Sequence, residues 1–205
     1  MTGCVAVGDS YLSGTEMENR DDVWLARAMQ RWLPQLEVTW LARSGSTSRD
    51  VLLEQMPALD LLDMTFALAV VTCGANDVLR RITLDLPALE HNLAVIHDAV
   101  SDHADEIVLI TYPNFSPFLP HRPLSRARIS DGLRQVNEVI RNTSDRCGAH
   151  CVDVESRLEQ HAALFAPDGI HLSAAGHCRT ADAFIASAGS LPADEPLMPP
   201  LDQWW

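Results

Sequence analysis

Residues 66–72 read FALAVVT, apolar almost throughout and without alternation. A strand with one face in water alternates apolar and polar residues, whereas a continuous apolar run needs cover on both faces. That need points to the middle of a parallel sheet layered by helices. Four more short strand-like runs keep it company: Cys4–Val7, Val38–Leu41, Ile107–Thr111 and Ala149–Val154. Longer amphipathic stretches separate them. Asp21 or Asp22 is placed to cap a helix carrying Val23, Trp24, Ala28 and Leu33, which stops before Pro34. Ser48 is placed to cap a short helix with Val51, Leu52 and Met56. Pro87 suits the first turn of a helix through Leu89, Leu93, Ile96 and Val100. Ser125–Arg146 carries Ile129, Leu133, Val136 and Ile140 on one face, and a last helix runs near Ser173–Ser187. Strands alternating with helices predict an α/β fold, a three-layer α/β/α sandwich around a five-stranded parallel sheet. One domain spans 1–190, and a Pro-rich tail follows at 191–205.

The overall composition closes off other classes. Apolar residues make up 47% of the chain, enough for a real core. The net charge of -13, with no basic patch, argues against a nucleic-acid partner. The opening MTGCVAVGDS lacks a cationic segment and a long apolar one, so it does not read as a secretory signal. The longest apolar stretch is too short to enter a bilayer. Five cysteines, an odd number, read as reduced thiols, and the expected location is cytoplasmic. The tail ends in Trp204 and Trp205, a candidate contact for homo-oligomers.

In parallel α/β sheets, function gathers at the carboxyl ends of the strands. Here the unusual residues sit there. Gly8-Asp9-Ser10 follows the first strand, and Ser44-Gly45-Ser46 the second. Gly74-Ala75-Asn76-Asp77 follows the third, and Asp168-Gly169-Ile170-His171 comes late, after the fifth. A hydrolase needs a nucleophile, a base, an orienting carboxylate and donors for an oxyanion. Each has a candidate on this edge.

With these four blocks the chain resembles the SGNH hydrolase superfamily, also called the GDSL family. Ser10 stands in GDSYLSG, Gly45 in RSGST, Asn76 in GAND and His171 in DGIH, in the family's order and over nearly the whole chain. The resemblance implies a flavodoxin-like sandwich and a serine esterase. It implies that Ser10 is the nucleophile, His171 the general base and Asp168 the residue that orients it. It also implies an oxyanion hole from the Ser10 and Gly45 backbone N–H groups and the Asn76 side-chain amide. Tyr11 departs from the family name, which has Leu there. Asp9 and Asp77 read as structural.

The expected reaction is cleavage of a carboxylic ester, or a thioester, of a small molecule through an acyl-serine. An acyltransferase using the same acyl-enzyme, or a non-catalytic binding protein of the same fold, are the alternatives. Tyr11, Arg80, Tyr112, Phe115 and Phe118 are candidates for substrate binding. No cofactor is expected, and no metal: His171, His177 and Cys178 lack the spacing of a zinc site.

Overall fold

The computed structural model describes residues 3–158 and 161–188; the Pro-rich tail at 191–205 lies outside them. Five strands pair in parallel in the order β2-β1-β3-β4-β5. They are β1 (Gly3–Gly8), β2 (Glu37–Trp40), β3 (Phe66–Thr72), β4 (Ala104–Ile110) and β5 (His150–Val152). The fold is the expected α/β sandwich. β3, the apolar run, lies at the centre, and every residue of it but Ala67 is buried. β4 begins earlier than its apolar run, because Ala104 and Glu106 still pair with Phe66 and Leu68 across the ladder. Backbone pairing continues where side-chain polarity has already changed.

The chain leaves β1 for β2 on one side and then returns past β1 to β3 and beyond. The strand order therefore reverses between β1 and β3, and a crevice opens outside their carboxyl ends. Gly8 and Thr72, paired in register, are the last residues of those two strands.

Helices complete the layers: α1 (Ser10–Ser13), α2 (Trp24–Trp32), α3 (Ser48–Asp50), α4 (Met56–Asp60), α5 (Ala75–Leu79), α6 (Leu86–Ser101), α7 (Pro123–Cys147), α8 (Val154–Arg157) and α9 (Ala174–Ala188). A π-turn, Val51–Gln55, joins α3 to α4. α2 packs on α9, and α6 packs on α7. Trp24, Phe66, Phe184 and Leu12 are among the fully buried large side chains. Each such side chain contributes roughly 1.5–3 kcal/mol by leaving water.

Two caps differ from the sequence reading. Neither Asp21 nor Asp22 caps α2; they lie in a 3-10 turn capped by Asn19, and α2 starts after Val23 with no local side-chain cap. The Trp24 N–H donates instead to His177 Nδ1, 3.1 Å away. α3 is capped by Thr47, not Ser48, in a reciprocal capping box with Asp50. Ser48 is held elsewhere: its N–H and hydroxyl both donate to Asp77, each at 2.8 Å. All five cysteines are free thiols. Burial pushes the Cys4 thiol up to about 12. Among the described residues no helix is long and apolar enough to cross a membrane.

Candidate active site

The turn after β1 sets the position of Ser10. Gly8 adopts φ +141°, and a Cβ there would lie 1.9 Å from the Thr72 carbonyl oxygen. Only glycine lets the chain turn so close to β3. Asp9 then caps α1, accepting the Tyr11 N–H at 3.0 Å, and Ser10 opens the helix. The Asp9 carboxylate is buried and also accepts the Tyr112 hydroxyl at 2.7 Å and the Thr72 hydroxyl at 3.2 Å. Burial pushes its pKa up from 3.8 to about 6 in spite of these donors.

That shift carries a stability prediction. The unfolded chain releases this proton near the ordinary Asp value, while the folded protein keeps it to about pH 6. The folded state thus binds more protons between those values, and stability falls as pH rises through them. Asp9→Asn removes this contribution. The stability of the parent relative to the variant is expected to drop by on the order of 2 kcal/mol from pH 4 to pH 7. Urea unfolding of both proteins across that range measures it.

The late loop brings the base and its carboxylate together. Asp168 Oδ1 accepts the Ile170 N–H at 2.9 Å and the His171 N–H at 3.1 Å. Its Oδ2 faces His171 Nδ1 at 2.5 Å. Partial burial opposes ionisation of Asp168, but the Ile170 N–H, the His171 ring and the His171 N–H outweigh it and hold the carboxyl below its ordinary range. The loop is pinned by the Ala166 N–H donating to the His171 carbonyl at 2.8 Å and by an antiparallel bridge between Phe165 and Leu172.

Ser10, Asn76 and His171 line one cavity, together with Tyr11, Tyr112 and Phe115. It is a narrow cleft of about 420 Å³, part of it open to solvent. Ser10 Oγ has no hydrogen-bond partner among the described residues. Such contacts commonly form only once substrate is bound. The N–H groups of Ser10 and Gly45 likewise have no acceptor among the described residues. Asn76 Nδ2 donates one hydrogen to the Ser46 carbonyl at 3.0 Å. An amide nitrogen carries two donors, so one remains.

Gly45 does not line the cavity itself. It sits in the Arg43–Ser46 turn at φ +79°, where a Cβ would lie 2.7 Å from Arg80 Nη2. The Arg80 guanidinium thus covers the side-chain-free face of Gly45. Arg80 is exposed, lies over Gly45 and reaches Asp50 at 3.8 Å, outside the cavity lining. Phe118 is also outside it, its ring stacked on Phe165 at 5.0 Å. Tyr11 and Tyr112 wall the cavity with their rings. Their hydroxyls are turned to Thr180, at 3.2 Å, and to Asp9.

Several residues at the site escaped the sequence reading. Glu16 lines the cavity and stands 3.8 Å from His171 Nδ1. Glu16, Asp168 and His171 bring ligand atoms within 4.8 Å of one another. Because Nδ1 is already bonded to Asp168, the cluster belongs to the base and its carboxylate. His177 lines the cavity from behind. Burial, with Arg27 nearby, pushes its pKa down to about 4, so the neutral ring accepts from Trp24. Gln55 and Thr72 hold the turn before Ser10. None of these had a spacing signal, because each meets its partner only across the fold.

The chain matches known proteins along nearly its whole length. Residues 6–179 match the GDSL-like lipase/acylhydrolase family. No curated protein sequence matches significantly. Among solved structures, it is similar to LAE5, an alpha/beta hydrolase enzyme from the metagenome of Lake Arreo, Spain, with 22% identity over 94% of this chain and 97% of that one, at a TM-score of 0.72. TesA is similar at 20% identity, 96% and 99% coverage and a TM-score of 0.73. A catalytic mutant of Axe2, an acetylxylan esterase from Geobacillus stearothermophilus, is similar at 19% identity, 92% and 94% coverage and a TM-score of 0.72.

Proposed function

Because the chain belongs to the GDSL-like lipase/acylhydrolase family, we propose that it cleaves carboxylic esters of small molecules through an acyl-Ser10 intermediate. The observation that carries this reading is the Asp168–His171 hydrogen bond placed in one cavity with Ser10. Asp168 accepts from Nδ1–H and so leaves Nε2 as the base. His171 takes the Ser10 proton as Oγ attacks the acyl carbonyl. The tetrahedral oxyanion is met by the uncommitted N–H groups of Ser10 and Gly45 and the remaining Asn76 amide hydrogen. His171 then returns the proton to the leaving alcohol. Water, activated by the same ring, attacks the acyl-serine and releases the acid.

The narrowness of the cavity supports a short acyl group, such as acetyl, seated against Tyr11, Tyr112 and Phe115. kcat/KM is expected to fall at least tenfold from p-nitrophenyl acetate to the octanoate, since a longer chain has no enclosed room. A flat or rising series would refute the short-acyl reading. The mechanism is tested separately by fluorophosphonate labelling. Ser10 should be the residue modified, and His171→Ala should abolish the labelling. Labelling elsewhere, with hydrolysis retained, would overturn Ser10 as nucleophile.

A further inference from the structure

β2 pairs with β1 only as far as Trp40 opposite Ala6. Beyond that rung the Gly8 N–H has no backbone partner, and the chain there is two residues from Ser10. A side chain fills the place. Gln55 Oε1 accepts the Gly8 N–H at 2.8 Å, and Gln55 Nε2 donates to the Gly8 carbonyl at 2.8 Å. The carboxamide thus completes the pairing at Gly8, whose carbonyl also accepts the Arg43 N–H at 2.9 Å. The second hydrogen of Nε2 goes to Ser46 Oγ at 3.2 Å. Both Nε2 hydrogens and one Oε1 lone pair are used, and Gln55 is fully buried.

Ser46 is gripped twice. Its hydroxyl is held by Gln55 and its carbonyl by Asn76. The net Gly8–Gln55–Ser46–Asn76 therefore ties together the three segments that carry Ser10, Gly45 and Asn76. Gln55 is the last residue of the π-turn. Met56 N–H bonds to the Val51 carbonyl five residues back, so the helix holds one residue more than an α-turn would. That extra residue rotates the following positions by about 100°. Pro57, just beyond, has no N–H for the ordinary ladder, and its ring disfavours the tighter turn.

From this arrangement we infer that Gln55 is a positioning residue for the oxyanion hole, fixing the spacing of the Ser10, Gly45 and Asn76 donors without touching substrate. The inference rests on the esterase reading above. An oxyanion hole works by being set before the charge develops. A displacement of the donors by an ångström is worth about 10²-fold in rate. Loosening the net weakens the transition state while leaving ground-state binding nearly intact.

The test compares Gln55→Met with the parent on p-nitrophenyl acetate, in the parent and in the Asn76→Ala backgrounds. Met keeps the volume and removes all three hydrogen bonds. kcat is expected to fall about 10- to 100-fold, with KM within about threefold. In the Asn76→Ala background one of the three donors that the net positions is already gone, so the same substitution should cost less than in the parent. A merely structural role would lower both backgrounds by the same factor, and that result overturns the inference. So does a folded Gln55→Met protein with kcat within threefold of the parent. If Gln55→Met does not fold, Ser46→Ala removes only the link between Gln55 and the Gly45 turn. It is expected to lower kcat several-fold at unchanged KM, and an unchanged kcat refutes the proposal. Parent hydrolysis that does not depend on Ser10 would instead sink the esterase reading.

Discussion

Ser10→Ala is expected to lower kcat for p-nitrophenyl acetate by about 10⁴-fold or more, equivalent to at least about 5.5 kcal/mol of transition-state stabilisation. The substitution should leave the fold intact. Asp9, not Ser10, provides the cap of α1, and the Ser10 carbonyl still accepts the Gly14 N–H at 3.2 Å. The hydroxyl itself has no partner to lose among the described residues, so the change in stability should stay within about 0.5 kcal/mol. The backbone N–H of residue 10 also survives. Some catalysis over the uncatalysed rate should therefore remain from the oxyanion donors alone. Thermal unfolding beside steady-state kinetics separates the two effects. Turnover within tenfold of the parent, in a folded Ser10→Ala protein, would remove Ser10 from the mechanism.

Asp168→Asn is expected to cost about 10⁴-fold in kcat, although it changes no shape. The hydrogen bonds give the reason. Oδ1 accepts two backbone N–H groups, from Ile170 and His171, while Oδ2 faces the ring. An asparagine must keep its oxygen toward those two donors, which places its NH₂ against His171 Nδ1. That nitrogen then has to accept, so the proton moves to Nε2, and the ring can no longer take the proton from Ser10. KM should change little, because Asp168 does not line the cavity. Asp168→Ala is the informative companion. It imposes no tautomer, and Glu16 at 3.8 Å from Nδ1 remains as a second acceptor, so its loss should be smaller than that of Asp168→Asn. Equal activity of Asp168→Asn and parent would show that His171 does not act as the base.

Much of the architecture was legible before any coordinates. The run at 66–72 became β3 with the same boundaries, because continuous apolarity has one solution in water, cover on both faces. Pro87 lies in the first turn of α6, where a missing N–H costs nothing. The helix bearing Ile129, Leu133, Val136 and Ile140 buries those four residues, as the 3.6-residue period requires. The blocks around Ser10, Asn76 and His171 meet at one cavity because strand ends of one parallel sheet share an edge.

What was not legible depends on distance along the chain. The cap of α2 comes from His177, 153 residues away, so no local pattern near Asp21 or Asp22 signalled it. Phe118 was a candidate for substrate binding. Its ring instead covers Phe165, because an aromatic gains more from a stacked neighbour than from an open mouth.

By itself the sequence determined the layers, the strand edges and the residue types at each edge, since period and punctuation are local and express hydrophobic burial and backbone sterics directly. Only the tertiary structure decided how those edges are held. It turned a polar residue inside a short helix, Gln55, into the partner of Gly8 and Ser46. It buried Asp9 against Tyr112 and Thr72 and raised its pKa. It laid Arg80 over Gly45. The physical reason is common to all three. A buried hydrogen-bonding group must find a partner wherever the fold brings one within about 3 Å, and sequence spacing carries no record of which distant residue that will be.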